Sequence, residues 1–165
     1  MNRILFASLV TPGLLAVSLG SAQQPAPPPK AGPPIMAQQL VDRFVRAHPE
    51  LAAVELAITT NGRCRTIAAT APEDVGEKCD ADELTPIRTG QPDVEAPTTQ
   101  DPVYDITQAL HDAAGHLIGA AGMDLKPEAG PTRAAVLARA GALLRALEAQ
   151  IPSKAKLLEP ATPEG

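Results

Sequence analysis

Residues 54–70 read VELAITTNGRCRTIAAT, and this stretch decides the fold class. Its first five residues place apolar side chains at every second position, which is the period of a strand with one buried face. The Asn61-Gly62 pair is preferred in two-residue type I′ turns, and residues 64–70 supply a returning strand. The stretch therefore predicts an antiparallel hairpin. The predicted cross-strand pairs are Leu56 with Ile67 and Val54 with Ala69.

Helical patterns lie at both ends of the foldable region. Residues 35–48 carry an apolar stripe at helical spacing, and Pro49 ends this first helix. A second helical stripe follows Gly130-Pro131 and stops before Pro152. The apolar positions of that stripe are Val136, Leu137, Ala140, Leu144, Leu147 and Ile151.

A second hairpin is predicted between the two helices. Residues 103–111 and 116–125 flank the sequence DAAG, which is a four-residue connection. Residues 93–99 add a short third strand, and a helical turn is expected near residues 82–87. The order of helix, hairpin, strand, hairpin and helix predicts an α+β domain with an antiparallel sheet rather than an alternating parallel one.

The chain outside this domain is organised as export and linker segments. Residues 1–22 combine Arg3, an apolar run and small residues before a cleavage point, which predicts a signal peptide. Residues 23–34 are rich in Pro and predict an extended linker. The domain is expected over residues 35–158, and residues 159–165 are expected to form a flexible tail. The mature protein is thus predicted to be periplasmic or secreted, without a membrane span after cleavage.

Composition excludes several classes of partner. The chain has 165 residues, a formal net charge of −5 and 2% aromatic residues. An acidic chain does not favour nucleic acid or an anionic membrane surface, since both select basic faces. So few aromatic rings cannot line a cofactor pocket or stack bases. No cofactor is predicted.

Cys64 and Cys79 are the only cysteines. In an exported chain two cysteines favour one disulfide, which would close a loop and stabilise the fold by roughly 3 kcal/mol. The spacing does not match a Cys-x-x-Cys redox motif. A thiolate metal site would need soft ligands, whereas Asp80 and Asp82 are hard oxygen donors. The sequence therefore predicts a structural disulfide.

Two polar clusters suggest metals but do not support a metal site. Residues 73–83 carry six carboxylates, and Asp80-Ala81-Asp82 begins like a calcium loop. Leu84 stands where a third ligand is required, so a solvated acidic loop is expected. In the second hairpin, His111 and His116 are predicted to be cross-strand neighbours beside Asp112. No metal ligand is assigned.

The second hairpin also predicts a carboxylate pair. The register that sets His111 opposite His116 places Asp105 opposite Gly122 and Val103 opposite Asp124. Asp105, Thr107 and Asp124 then share one face, with the two aspartates diagonal to each other. Such a pair performs acid–base chemistry, receives a cation or amine, or lies on a solvated face without a function. No motif supplies a nucleophile, so an enzyme is not expected.

A family resemblance rests on three runs of sequence. NGRCRTIAAT-x-PEDVGEKCDADEL, IRTGQP and YDIT…LHDAAGHLIGAAGMDLKP resemble the extracytoplasmic Cache domains, which are PAS-like bacterial sensor modules. The resemblance covers about residues 36–126. It implies a five-stranded antiparallel sheet, a long N-terminal helix across one face and a small-molecule pocket on the other.

The resemblance also carries a site assignment and two departures. It implies that Arg88, in the IRTG segment, receives an anionic end of the ligand. The chain lacks the aromatic-rich signature of amino-acid-binding members, so an amino-acid ligand does not carry over. It also shows no transmembrane helix after the signal peptide and no output domain, so signalling would need a partner.

Two functions follow from these observations. The first is an exported, PAS-like module that binds or senses a small molecule such as an amine, a cation or an organic acid. The second is an envelope scaffold that contacts a protein partner and fills the pocket with its own side chains. A cavity of measurable volume over Asp105 and Asp124 would favour the first, and a filled one would favour the second.

Overall fold

The structure is a computed structural model that describes residues 35–128 and 130–161. The predicted signal peptide and linker lie outside the described residues, as does most of the predicted tail. The helices and strands are α1 (Met36–Ala47), β1 (Leu51–Thr60), β2 (Arg63–Ala69), a 3₁₀ turn (Pro72–Asp74), α2 (Ala81–Thr89), β3 (Asp93–Glu95), β4 (Tyr104–His111), β5 (Leu117–Leu125), α3 (Arg133–Glu148) and α4 (Lys154–Leu157).

The five strands form one antiparallel sheet in the order β2-β1-β5-β4-β3. The predicted α+β fold class, with a five-stranded antiparallel sheet, an N-terminal helix and a C-terminal helix, is confirmed. Within the described ranges, no helix has both the length and the apolar character needed to cross a membrane.

The first hairpin has the predicted turn but a different register beyond it. Asn61 and Gly62 have φ values of 51° and 72°, as a type I′ turn requires. The pairing follows the prediction from Thr60 with Arg63 back to Ala57 with Thr66, after which a β-bulge shifts it. The predicted pairs of Leu56 with Ile67 and Val54 with Ala69 are therefore wrong. The observed pairs are Leu56 with Ala68 and Glu55 with Ala69.

The physical reason is one extra residue in β2, at Ile67, that the alternation in β1 does not reveal. The outer edge of β2 contacts residues 76–79 rather than another strand of the sheet, and the Thr66 amide donates to the Glu77 carbonyl there at 3.1 Å. Helix α1 contacts the strand beyond the bulge. The Gln38 side-chain amide donates to the Ala69 carbonyl at 2.9 Å and accepts from the Ala69 amide at 3.2 Å.

The second hairpin also departs from its predicted register. Asp105 pairs with Asp124 and Thr107 with Gly122, and a bulge between Leu110 and His111 brings His111 opposite Leu117. The connection is five residues long instead of four, and this bulge lies next to it. Together they move the β4–β5 pairing by two residues. A shift of two residues keeps every side chain on its predicted face, because the strand period is two.

Helices α1 and α3 pack on one face of the sheet, which we call the helix face. The buried aliphatic core lies between these helices and the strands. Helix α2 packs instead on β3, β4 and β5, on the other face. Core residues of the helix face include Leu40, Phe44, Val54, Leu56, Ile106, Leu110, Met123, Leu125, Ala140, Leu144 and Leu147.

The described end of the chain contacts the start of the domain. The Met36 amide donates to the Glu159 carbonyl at 2.8 Å, and Ile35 forms an isolated bridge with Pro160. The first residues of the predicted tail therefore belong to the folded unit.

Candidate functional site

A cavity of about 240 Å³ lies between the sheet and α2, and we call it the acidic cavity. Its lining consists of carboxylates and small residues, with one hydroxyl group and no basic or aromatic side chain. The lining residues are Ala53, Val54, Glu55, Ala69, Ala71, Asp74, Asp80, Asp82, Glu83, Asp105, Thr107, Gly122 and Asp124.

The sheet supplies the cavity floor, which we define as Glu55, Asp105, Thr107 and Asp124. Asp105 and Asp124 lie directly opposite each other on β4 and β5, which corrects the predicted diagonal placement. The structure thus brings together the three residues that the sequence had placed on one face, despite the change of register.

Burial raises the pKa of both aspartates. The pKa of Asp105 rises from 3.8 to about 6, first because the carboxyl is buried and next because Asp124 repels its charge. The pKa of Asp124 is also raised, by burial and then by Asp101. No hydrogen-bond donor and no basic side chain from the described ranges compensates either carboxylate, so both are held at an electrostatic cost.

Glu55 is a floor carboxylate that the sequence did not single out. It alternates with Val54 and Leu56 on β1, so the pattern placed it on the face away from the aliphatic core. In the structure it accepts a hydrogen bond from the Thr66 hydroxyl, and burial raises its pKa. The alternation in β1 does not indicate that α2 packs over this face of the sheet. Glu55 belongs to the site because α2 does so.

The segment from the 3₁₀ turn to α2 supplies the cavity roof, which we define as Asp74, Asp80, Asp82 and Glu83. These residues belong to the run that was predicted to be a solvated acidic loop. Asp80 is the N-cap of α2, and its carboxylate accepts from the Asp82 amide at 2.9 Å. Glu83 accepts in return from the Asp80 amide at 2.8 Å. This capping box explains why roof carboxylates stand at the start of α2.

The disulfide predicted between Cys64 and Cys79 is confirmed, with 5.3 Å between the two Cα atoms. Cys79 immediately precedes the N-cap residue Asp80, and Cys64 lies on β2. The bond therefore fastens the segment that carries the cavity roof to the edge of the sheet.

Arg88 does not join the cavity lining. It lies in the last turn of α2 rather than in a loop, where it is exposed, and its Nε donates to the Leu84 carbonyl at 3.1 Å. Its predicted role at an anionic end of a ligand has no support from its position in the fold.

The predicted pairing of the two hairpin histidines is wrong, because the bulge and the longer loop separate them. His111 Nδ1 lies 3.0 Å from Glu148 Oε1 on α3, whereas His116 Nδ1 lies 3.1 Å from Asp112 Oδ2. Each imidazole thus has its own carboxylate partner.

A group of three carboxylates with converging ligand atoms joins Asp82 of the cavity roof to two residues of β3, and we call this group the rim. Within the described ranges it is the one such group, and its ligand atoms lie within 4.8 Å of one another. Its members are Asp82, Asp93 and Glu95. Two of the three are exposed, as acidic groups commonly are without a metal, so the geometry alone assigns no ion.

No protein-family model matches the chain, and no curated protein matches it. Among solved structures it is similar to the GAF domain of a two-component sensor histidine kinase from Bacillus halodurans, with a TM-score of 0.48, 12% identity, and coverage of 68% of this chain and 91% of that one.

Two further structures of the same general architecture have different functions. One is the inducer-binding domain of the PobR transcription factor from Acinetobacter, in complex with 3-hydroxybenzoic acid (TM-score 0.42, 11% identity, 74% of this chain and 99% of that one). The other is a free methionine-R-sulfoxide reductase from Thermoplasma acidophilum (0.40, 16%, 69% and 90%). These similarities identify no ligand for this chain.

Proposed function

We propose that this domain is a small-ligand-binding module of PAS-like, sensory type, and that its ligand occupies the acidic cavity against Asp105, Thr107 and Asp124. One observation carries the proposal, namely a cavity of about 240 Å³ over those residues. A scaffold with a filled pocket would leave no such space. The volume is slightly below the usual range for small-molecule pockets, which suits a compact ligand.

The charge of the lining selects among the three ligand classes that the sequence left open. Seven carboxylates line the cavity, and no basic side chain does. An organic acid would be repelled there, and Arg88 is too exposed and too far along α2 to compensate it. A ligand with a cationic group fits the lining.

We also propose that the protein works outside the cytoplasm, in the periplasm or as a secreted protein. The Cys64–Cys79 disulfide supports this, because such bonds persist in oxidising compartments. The predicted signal peptide supports it independently. In this proposal the domain binds its ligand without catalysing a reaction, since the Thr107 hydroxyl is the only candidate nucleophile in the cavity lining apart from carboxylates. The signal then passes to a partner protein of the cell envelope.

The test is a thermal-shift screen of the exported protein against amines, divalent ions, sugars and organic acids, repeated on Gly122→Val. A Cβ at Gly122 would lie 3.7 Å from the Glu55 Cβ and from Thr107 Oγ1, an ordinary contact distance. The valine methyl groups would then occupy the cavity without displacing backbone. Thr107→Val provides a second variant that changes the floor with almost no change of shape.

We expect at least one compound to raise the melting temperature of the wild type and to lose that effect in Gly122→Val. A compound whose shift survives in Gly122→Val binds elsewhere and argues against this cavity. If no compound shifts the wild type, the scaffold function replaces the proposal.

A further inference from the structure

Within the described ranges, no hydrogen-bond donor and no basic side chain pairs with the two floor aspartates, Asp105 and Asp124. Directly opposite like charges on neighbouring strands destabilise a sheet, and Asp105 and Asp124 are such a pair. Two of the roof carboxylates, Asp80 and Glu83, are by contrast used in the capping box of α2. Glu55 has Thr66. The structural needs of the described residues therefore account for Asp80, Glu83 and Glu55 but not for the aspartate pair.

Thr107 independently indicates that a ligand binds here. Its side chain is 6% exposed, and its hydroxyl has no hydrogen-bond partner within the described ranges. Thr107 lines the cavity opposite Gly122, and its Oγ1 lies 3.7 Å from the position that a Cβ of Gly122 would take. The hydroxyl is not fully enclosed by protein and lines the cavity, so it is free to bond a group there.

The arrangement of carboxylates argues against a bare metal ion as the occupant. A metal needs several oxygen ligands converging on one point. In the part of the chain that the structure describes, such convergence occurs at the rim, in Asp82, Asp93 and Glu95, and not among the floor carboxylates. The charges of the acidic cavity are instead distributed between floor and roof, which suits a molecule that spans them.

The remaining lining restricts the kind of organic cation. No aromatic ring is present, so the cavity lacks the cage that holds quaternary ammonium groups. Ala53, Ala69, Ala71 and Gly122 offer small apolar surfaces between the charges, against which methylene groups can pack. A volume of about 240 Å³ corresponds to roughly eight waters at about 30 Å³ each, which is enough for a short chain.

We propose that the acidic cavity binds a short aliphatic amine that carries two or more ammonium groups. One ammonium donates to Asp105, Asp124 and the Thr107 hydroxyl on the floor, and another donates to roof carboxylates, with the methylene chain between them. This inference rests on the proposed function, because it specifies the ligand of the same cavity.

The experiment is calorimetric titration of the exported, disulfide-bonded protein with 1,4-diaminobutane at pH 7.5. Asp105→Asn and Asp124→Asn each remove a charge from the floor while keeping its shape, and we expect each to weaken binding at least tenfold. Glu73→Gln is the matched control, since Glu73 is an exposed carboxylate of the same loop and does not line the cavity. It should leave the affinity within twofold.

Three further probes separate the chemical classes. 1-Aminobutane should bind at least tenfold more weakly than the diamine, and 1,4-butanediol should not bind measurably, because they lack one or both ammonium groups. Calcium chloride should bind more weakly than the diamine, and any calcium binding should persist in Asp105→Asn, since the converging carboxylates are Asp82, Asp93 and Glu95.

The inference fails if the diamine does not bind, or if its affinity is unchanged in both asparagine variants. If the diamine fails while a compound from the thermal-shift screen still depends on an open Gly122 position, the proposed function stands and only the ligand class is wrong. If neither binds, both proposals fail together.

Discussion

The two faces of the sheet use the same strands for different purposes. On the helix face, residues such as Leu56, Ile106 and Met123 are buried against α1 and α3. On the cavity face, the neighbouring residues on the same strands include Glu55 and Asp105, with raised pKa values. Aliphatic burial stabilises the fold, whereas burial of unpaired carboxylates opposes it. The helix face therefore holds the domain together, whereas the carboxylates of the cavity face oppose folding when they are ionised.

The largest expected contrast is between two adjacent residues of β4. Ile106→Ala removes a fully buried side chain from the helix face and should lower the free energy of unfolding by about 2–5 kcal/mol. Thr107→Val, on the cavity face, replaces an unpaired hydroxyl and should change it by less than about 1 kcal/mol. Urea unfolding of both variants measures the difference. Equal losses would show that both faces contribute alike to stability.

Two glycines of β5 give a second contrast. A Cβ at Gly119 would lie 1.9 Å from the Ala57 carbonyl oxygen, so Gly119→Ala must displace backbone. We expect a loss of about 3 kcal/mol. Gly122→Ala places its Cβ no closer than 3.7 Å to any neighbour and should cost under about 1 kcal/mol. Thermal unfolding of the pair tests this, and a tolerated Gly119→Ala would mean that β1 and β5 are not packed as described.

The disulfide links the edge of the sheet to the cavity roof and should have an effect of similar size. Replacing Cys64 and Cys79 together with alanine releases a loop with a sequence separation of 15, and the entropy model gives a loss of about 3 kcal/mol. Amide hydrogen exchange should accelerate first in residues 72–80, before the helix face responds. Uniform acceleration across both faces would contradict a local role for this bond.

Much of the fold follows from local patterns in the sequence. The Asn61-Gly62 turn and the stripes of α1 and α3 depend on neighbours within a few residues, so they are readable without tertiary contacts. The bulges at Ile67 and before His111 are not, because each is fixed by pairing partners distant in sequence. The alternation of apolar and polar residues therefore predicts which side chains share a face of the sheet better than it predicts which residues pair across strands.

The site shows the same division. Three of the four floor residues, Asp105, Thr107 and Asp124, were predicted to share a face, and the register error of two residues leaves that face unchanged. The roof could not be predicted, since its position depends on α2 folding back over the sheet and on the disulfide before Asp80. Arg88 was assigned from the resemblance, and the end of α2 places it outside the cavity.

The smallest predicted effect is the loss of folding stability caused by burying the ionised Asp105 carboxylate on the cavity face. The pKa of Asp105 rises to about 6 because of burial and of charges that face it from every side, namely Asp124 on β5, Glu95 on β3, Asp82 on α2 and Asp101 before β4. Well below its reference pKa of 3.8, at about pH 3, the carboxyl is protonated in the folded and unfolded chain alike, and folding has no charge to bury. Between about pH 4 and pH 6 the unfolded chain ionises while the folded chain keeps the proton, so stability falls across this window and levels off above pH 6, where both states are ionised.

Asp105→Asn removes that linkage and should therefore stabilise the ligand-free protein at neutral pH. A shift of about two pKa units corresponds to about 3 kcal/mol at full burial, and solvent screening of this partly exposed group reduces it to about 1 kcal/mol. Urea unfolding at pH 7.5 should show the variant more stable by that amount, whereas at about pH 3 the two proteins should agree. Glu73→Gln should show no such pH-dependent difference. A variant less stable than the wild type at pH 7.5 would mean that the ionised Asp105 is favourably compensated within the fold, and the contrast between the two faces would disappear.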